Sequence, residues 1–399
     1  MLHFLQRIIP SVVWETAETL VIWVHSLLRG VTPKIKGPSK HEAVAVPRIK
    51  KFDEAKQLLK ILVGMKEQAL KSRSTPNERL AITFKIENGF TTMSLDTHAE
   101  YVNHIHELLK MVSYYSEQIL IKDIFETEKA IFVKKYGENI PFLKYILTVS
   151  FKFSIKRFLG ELLNDKLTEA DMSDLCLKAG DKITSLWLES KKGPVDWEEQ
   201  KALFDILQIL FPSLNVEDKL ENPLNIILPS FETLWRVMYR LCVTVQCSDE
   251  ADLYLKVLRQ FGEDPSEATF KNKVDGVSAE FIVKEILFVN PPTRTIYRSD
   301  ENGNIVGVDV KVVHMEGVEI KGFYPQRWGN DKDIPFLTFG YGSMSCPAKR
   351  FAPVALALMG AAIFEIFEYY AWNVELKKID AEGKNDRVKY FEFEIKKVK

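Results

Sequence analysis

The residue types best suited to chemistry lie together in the stretch FLTFGYGSMSCPAKRFA, residues 336–352. Gly340 and Gly342 predict a tight loop with φ > 0, and Pro347 suits the first helical position because its missing N–H group costs nothing there. Cys346 is therefore expected at a helix N-terminus, where unpaired N–H groups and the helix dipole favour a thiolate. A thiolate can act as a nucleophile or bind a metal.

A small buried hydrophobe is the alternative reading of such a cysteine. The chain contains four cysteines, Cys176, Cys242, Cys247 and Cys346, without a paired Cys-x-x-Cys spacing. This pattern indicates neither a zinc site nor a disulfide framework, and it favours a reducing compartment.

An acid and an alcohol, Glu232 and Thr233, form a second candidate pair within an apolar helix predicted to start at Asn222-Pro223. Pro229 removes one backbone hydrogen bond, which predicts a kink and a free carbonyl near residues 231–233. Adjacent carboxyl and hydroxyl groups on an opened helix could deliver protons through ordered water. A solvent-facing Glu-Thr pair is the alternative interpretation.

Other elements must position these groups. Residues 96–218 are almost wholly helical in pattern, and the apolar stripe after Cys346 predicts another long helix. Alternation over 80–86 and 306–313 predicts two strands. A further helix is expected to end at Pro291-Pro292, since a proline pair cannot continue it.

The spacing F-x-x-G-x-x-x-C of Phe339, Gly342 and Cys346 resembles the haem-binding loop of the cytochrome P450 family. The segments VKEILFVNPPTRTIYR and FYPQRW, and stretches around residues 98–111 and 145–192, are similar to filamentous-fungal members. The resemblance covers roughly residues 80–375 and implies a mainly α, cytochrome P450-like fold with small β sheets. It also implies haem as cofactor, Cys346 as the axial iron ligand, and Gly340 and Ala348 in the cofactor-binding loop.

Five more residues gain roles from this resemblance. Glu232 and Thr233 match the family's catalytic acid-alcohol pair, and Arg298 matches a residue that binds a haem propionate. Glu285 and Arg327 match a glutamate-arginine pair that supports the cysteine loop from beneath.

The sequence also departs from the family pattern. Phe288 replaces the second arginine expected near Glu285, Met344 replaces a basic residue of the loop, and Pro229-Ser230 replaces small residues that make room for dioxygen. Ala348 stands in place of a glycine. With one arginine lost, Glu285 is expected to have one partner rather than two.

By resemblance, we expect a haem-thiolate monooxygenase that oxidises a hydrophobic small molecule, in secondary metabolism, with electrons from an NADPH-dependent reductase in trans. No G-x-G-x-x-G fingerprint is present in the chain, so the electrons must come from another protein. Two alternatives stay open. One is a haem-thiolate isomerase, dehydratase or cyclase without normal dioxygen activation, and the other is a non-catalytic partner protein.

The domain organisation follows from length and patterning. Residues 1–30 form an amphipathic N-terminal segment that could bind a membrane surface or the protein core, and residues 31–399 are expected to form one cytochrome P450-like haem domain. The formal net charge of -1 gives no reason to expect nucleic-acid binding. We expect a cytoplasmic protein, peripheral on the endoplasmic reticulum membrane if the segment is an anchor.

Overall fold

The computed structural model describes residues 46–60, 66–300, 302–320, 322–330, 334–372 and 392–398. The predicted N-terminal segment, residues 1–30, lies outside this part of the chain. Within it, no helix is long and apolar enough to cross a bilayer.

Helices dominate the described residues. In the first half they are α1 (Phe52–Lys60), α2 (Lys66–Ser74), α3 (Glu78–Phe84), α4 (Leu95–Leu108), α5 (Tyr114–Tyr136), α6 (Phe142–Leu159), α7 (Glu169–Glu189) and α8 (Trp197–Leu210). In the second half they are α9 (Leu224–Gln246), α10 (Ala251–Glu263), α11 (Glu267–Lys271), α12 (Ala279–Val289), α13 (Val310–His314), α14 (Arg327–Asn330) and α15 (Phe351–Ile366).

Two small sheets complete the described fold. Their strands are β1 (Arg48–Ile49), β2 (Asn139–Pro141), β3 (Thr295–Ser299), β4 (Ile305–Asp309), β5 (Tyr370–Trp372) and β6 (Glu394–Lys397). One sheet has the order β1-β4-β3, with β1 parallel and β3 antiparallel to β4. The other has the order β2-β6-β5 and is antiparallel throughout. The mainly α architecture with small β sheets is the one predicted.

Four long helices, α5, α6, α9 and α15, pack against one another and form the centre of the core. Most residues of α9 and α15 are buried, which agrees with the apolar residues that cover more than one face of each. Gly262 of α10 lets this helix approach α15, because a Cβ atom at Gly262 would lie 2.9 Å from the Cβ atom of Ala361.

Pro229 lies inside α9 as predicted, but the carbonyl it frees is elsewhere. A proline at 229 cannot donate to the carbonyl of Asn225, one turn earlier. That carbonyl instead accepts from the Tyr101 hydroxyl at 3.2 Å and from the Asn88 side-chain amide at 3.4 Å. The expectation of a free carbonyl near residues 231–233 was therefore wrong, since the missing bond lies on the N-terminal side of the proline.

The two predicted strands fare differently. Residues 80–86 are not a strand: α3 spans Glu78–Phe84 and buries Leu80, Thr83 and Phe84 at helical spacing. Seven residues are too few for the apolar pattern to separate the two periods. Residues 306–313 begin as strand β4, but α13 follows at once because Asp309 caps it by accepting from the Val312 N–H group at 3.2 Å.

Candidate functional site

The Cys346 loop closes on itself through backbone hydrogen bonds. Gly340 and Gly342 both have a φ of 72°, in the left-handed region that favours glycine. The Cys346 N–H group donates to the Phe339 carbonyl at 2.7 Å, and the Gly340 N–H group donates to the Leu337 carbonyl at 2.8 Å. Cys346 then begins a short 3₁₀ turn over residues 347–349, just before α15.

The electrostatics of the sulfur differ from the expectation. Burial raises the pKa of the Cys346 thiol, and this outweighs the Ala348 N–H group that hydrogen-bonds to the sulfur and the positive charges of Arg73 and Lys349. A short 3₁₀ turn, rather than a full helix, follows the cysteine directly. The protein surroundings alone therefore hold the thiol protonated, although a bound cation would deprotonate it.

Arg73 lies near this loop, and Arg298 lies near Arg73. Arg73 of α2 is 9% exposed, its guanidinium lies 4.3 Å from the centre of the Phe90 ring, and it is close enough to Cys346 for their charges to interact. Arg298 of β3 is half-buried and donates to the neighbouring Tyr297 carbonyl at 2.8 Å. Among the described residues neither arginine has an acidic ion-pair partner.

The two guanidinium groups influence each other. Burial lowers the pKa of Arg73 to about 10 and that of Arg298 to about 9, where the positive charge of Arg73 adds to the effect. A buried hydrogen bond of 2.6 Å from the Ser72 hydroxyl to the Ser299 carbonyl joins α2 to β3 and holds the pair in place. Two neighbouring cations, one buried and one half-buried, without an acidic partner among the described residues favour a negatively charged group between them.

Glu285 and Arg327 are in direct contact. Glu285 of α12 is fully buried, and its Oε2 atom accepts from Arg327 Nε at 2.8 Å. The expected loss of a partner does not leave the carboxylate short of donors, because Trp328 Nε1 and the Tyr324 N–H group each donate at 2.9 Å. Burial raises the pKa of the Glu285 carboxyl, and the Arg327 hydrogen bond opposes this.

Phe288, which stands where the resemblance implies an arginine, belongs to an aromatic stack. The His314 ring lies parallel to Phe288, with centroids 4.9 Å apart, and parallel to Phe336 on its other side at 5.5 Å. Trp328 meets both phenylalanines edge-on. Phe336 opens the Cys346 loop, so this stack connects the loop to α12.

Glu232 and Thr233 bond to other residues of α9 and to α7. The buried Glu232 forms an ion pair with Arg236 one turn later, and Thr184 of α7 donates to its Oε1 atom at 3.2 Å. The half-buried Thr233 donates its hydroxyl to the Pro229 carbonyl at 3.0 Å. The side chain of the proposed acid is thus engaged by a guanidinium group and a hydroxyl group.

Sequence reasoning missed Arg73, His314 and Trp328. Arg73 stands in a polar helix with no periodic apolar face, so no pattern marks it as buried. Trp328 was read only as part of the FYPQRW segment. A histidine between two valines and a methionine was the one available signal for His314, because a polar residue in such a run often has a buried partner.

Comparisons with known proteins support the fold. No protein-family model matches the chain, and no curated protein sequence matches it. Solved structures do: HmtT, involved in himastatin biosynthesis, is 14% identical with a TM-score of 0.56, over 92% of this chain and 96% of that one. CYP175A1 from Thermus thermophilus is 15% identical with a TM-score of 0.55, over 79% and 80%.

The tirandamycin C-bound P450 monooxygenase TamI is 10% identical with a TM-score of 0.52, over 88% of this chain and 89% of that one. These structural neighbours are all cytochrome P450s. At such low identity the similarity establishes the fold alone. The chain therefore has the cytochrome P450 fold, with the Cys346 loop and the unpaired arginines inside it.

Proposed function

We propose that the chain is a haem-thiolate monooxygenase that binds haem through Cys346 and oxidises a hydrophobic small molecule. The observation that carries this proposal is the placement of two cations without acidic partners among the described residues: Arg73 lies close enough to Cys346 for their charges to interact, and Arg298 lies close to Arg73. A sulfur donor and a pair of unpaired cations in one place call for a ligand with a metal centre and negative charge.

The residues present fit haem. Cys346 would bind the haem iron through its sulfur, whose proton the metal would displace. The two propionates need cations, and the planar guanidinium groups of Arg73 and Arg298 could each donate two hydrogen bonds to a carboxylate. Arg73 would thereby replace the basic residue that is absent at Met344.

Bound haem with a thiolate ligand supplies dioxygen chemistry, inserting one oxygen atom into a C–H bond while the other leaves as water. The two electrons would come from an NADPH-dependent reductase in trans. In this chain Thr233 would hold a proton at its hydroxyl.

A second function is favoured by the Glu232–Arg236 ion pair. The buried Glu232 carboxylate is engaged by Arg236 and by the Thr184 hydroxyl, so these contacts would have to break before Glu232 could relay a proton. This observation favours a haem-thiolate isomerase, dehydratase or cyclase, in which no dioxygen is consumed. In that case Glu232 serves to hold α9 against α7.

The proposal of a hydrophobic substrate is supported by the cytochrome P450 neighbours. Several neighbours carry names from natural-product chemistry, namely tirandamycin for TamI and himastatin biosynthesis for HmtT. By analogy we propose secondary metabolism for this chain. A cytoplasmic location, with residues 1–30 touching the endoplasmic reticulum membrane, and the filamentous-fungal resemblance remain part of the same proposal.

Isotopically labelled dioxygen separates the functions. Hydrophobic compounds that change the haem absorbance on binding are first selected, then incubated with reductase and NADPH. A monooxygenase places one labelled oxygen atom in the product, and Thr233→Ala slows this or releases reduced oxygen instead. Product formed without reductase and without label supports the second function, and haem binding without any turnover contradicts both.

A further inference from the structure

His314 is a buried histidine whose two ring nitrogens join separate parts of the site. It ends α13 and is fully buried. Its Nδ1 atom lies 2.8 Å from the Phe288 carbonyl of α12, and its Nε2 atom lies 2.8 Å from the Leu337 backbone nitrogen. Leu337 stands at the start of the Cys346 loop, so one imidazole links this loop to α12.

The two partners fix the protonation state of the ring. A carbonyl can only accept a hydrogen bond, so Nδ1 must carry the proton. A backbone N–H group can only donate, so Nε2 must be the bare acceptor. Only the neutral imidazole protonated at Nδ1 satisfies both. A second proton, on Nε2, would point at the Leu337 N–H group and break that bond.

Stacking fixes the orientation of the ring. The planes of His314 and Phe288 differ by 7°, and those of His314 and Phe336 differ by 8°. The imidazole therefore cannot rotate without leaving both phenylalanines, and its nitrogens stay aimed at their partners. Thr338 provides a second hydrogen bond between the Cys346 loop and α12, since its hydroxyl donates to the Leu287 carbonyl at 2.7 Å.

The charged groups on α12 and α14 oppose a positive charge on this ring. The Arg327 guanidinium lies 5.1 Å from the centre of the Phe288 ring, and Lys284 Nζ lies 5.9 Å from the centre of the Phe336 ring. Glu285 is the nearby anion on α12, and its charge is already engaged by Arg327. No carboxylate hydrogen-bonds to His314 among the described residues.

The other neighbours of α13 are also engaged. Asp309 of β4 caps α13, and Glu316 accepts from the Phe52 N–H group of α1 at 2.6 Å. On α1 itself, Asp53 and Lys56 pair with each other at 2.6 Å.

We propose that neutral His314 is the positioning residue that fixes the Cys346 loop to α12, where Phe288 has replaced the family's arginine, and that protonation of His314 releases the loop. The consequence for cofactor retention rests on the haem-binding function proposed above. The link that His314 makes between Leu337 and Phe288 is independent of that function.

The direction of the pH dependence follows from linkage. Burial lowers the pKa of His314 from 6.5 to about 4, whereas in the unfolded chain it stays near its ordinary value. Between these two values the unfolded chain binds a proton that the folded chain does not, so His314 destabilises the fold as the pH falls. The folded-to-unfolded ratio then drops by close to tenfold per pH unit, relative to a chain without this histidine.

The variant His314→Phe tests this by keeping a flat ring and removing both nitrogens. The matched control is His104→Phe, at an exposed position of α4. Urea unfolding of the full chain is measured from pH 7.5 to 4.5. We expect His314→Phe to lose the tenfold-per-unit pH dependence that wild type and His104→Phe share. An equal pH dependence in all three chains overturns the proposal.

Hydrogen exchange at the Leu337 amide provides a readout that general destabilisation does not reproduce. Exchange is compared under conditions where the chain stays folded, with the buried α9 amides as internal reference. We expect the Leu337 amide to exchange at least about tenfold faster in His314→Phe, while the α9 amides change little, because one buried hydrogen bond is lost. Equal changes at both places contradict a specific link.

The wild-type chain also supplies a test that needs no variant. In histidine-labelled protein, nitrogen chemical shifts identify the tautomer and the pKa of each ring. We expect one of the seven histidines to be an Nδ1-protonated tautomer that stays neutral well below pH 6. Finding no such histidine contradicts the proposal even if His314→Phe fails to fold.

Haem retention is measured separately. We expect haem loss from wild type to accelerate as the pH falls below 6.5, and His314→Phe to lose haem quickly at every pH. If the chain binds no haem at all, the proposed function fails, but the amide exchange and the histidine tautomer still decide the role of His314. If haem binds and its loss is identical in both chains, the positioning role fails alone.

Discussion

The electrostatic surroundings of the Cys346 sulfur depend partly on residues that are distant in sequence. Its own loop supplies the turn at Gly340 and Gly342, and burial keeps the thiol protonated until a cation binds. Arg73 comes from a segment more than two hundred residues earlier and is the nearest candidate for the charge that the loop lacks at Met344. A bound haem would therefore contact Arg73, from the first quarter of the sequence, and Cys346, from the last quarter.

The first prediction concerns this arginine. Arg73→Gln should weaken haem binding roughly ten- to hundredfold, because a charge-assisted hydrogen bond to a propionate contributes about 1.5–3 kcal/mol. Haem affinity is measured by titration of the haem-free chain.

Arg259→Gln is the matched control, since Arg259 is exposed and pairs with Glu368 at 3.0 Å. Equal affinities in the two variants would show that Arg73 does not touch the cofactor.

A second prediction concerns Phe288. Phe288→Arg introduces the arginine that the resemblance implies, but it should destabilise this chain by about 3 kcal/mol or more. The new arginine would be a second buried cation next to Arg327, and the Glu285 carboxylate already accepts from three donors. The free energy of unfolding is measured in urea.

Phe288→Leu, which removes only the ring contact, should cost less, about 1.5 kcal/mol. A Phe288→Arg chain as stable as wild type would mean that the site still accommodates two arginines.

Motif reading captured the residues whose neighbours in sequence are also neighbours in space. Cys346 with Phe339, and the FYPQRW segment with Arg327, are local patterns. Arg73 and His314 could not be found this way, because their partners lie in other elements and no apolar period predicts which polar residue turns inward.

Long helices were the most predictable elements. Helices α9 and α15 carry apolar residues on more than one face, and both are buried as expected. The short helix α3 was mistaken for a strand because its seven residues fit both periods. The kink at Pro229 was predicted, but the partners of the freed Asn225 carbonyl, Tyr101 and Asn88, depend on tertiary contacts.

Helix spacing gives a third prediction. Gly262→Ala should destabilise the chain by about 1 kcal/mol, since a methyl group 2.9 Å from the Ala361 Cβ forces α10 and α15 apart, at a cost of about 1–3 kcal/mol that exceeds the gain in helix propensity. Thermal unfolding measures the change.

Gly160→Ala is the matched control, because a Cβ atom there meets nothing within 4 Å. If Gly262→Ala proves as stable as Gly160→Ala, α10 and α15 accommodate the added methyl group without moving apart.

At the scale of the whole molecule, the fold tolerates large sequence change. Solved cytochrome P450 structures only 10–15% identical superpose on most of this chain. Near the Cys346 loop, a Phe-His-Phe stack includes Phe288, where the resemblance implies an arginine. Arg73 lies close to Cys346, whose loop has Met344 where the resemblance implies a basic residue. The arrangement of the helices could be predicted from the family motifs, whereas these replacements required the three-dimensional contacts.

The central claim is that Cys346 binds haem iron as a thiolate. It is tested most directly by the absorbance spectrum of the reduced, purified chain with carbon monoxide. We expect the band typical of thiolate-ligated haem in the wild-type chain. This band should be lost in Cys346→Ser and should persist in the matched variant Cys247→Ser. A chain that binds no haem, or a band that survives in Cys346→Ser, would contradict it.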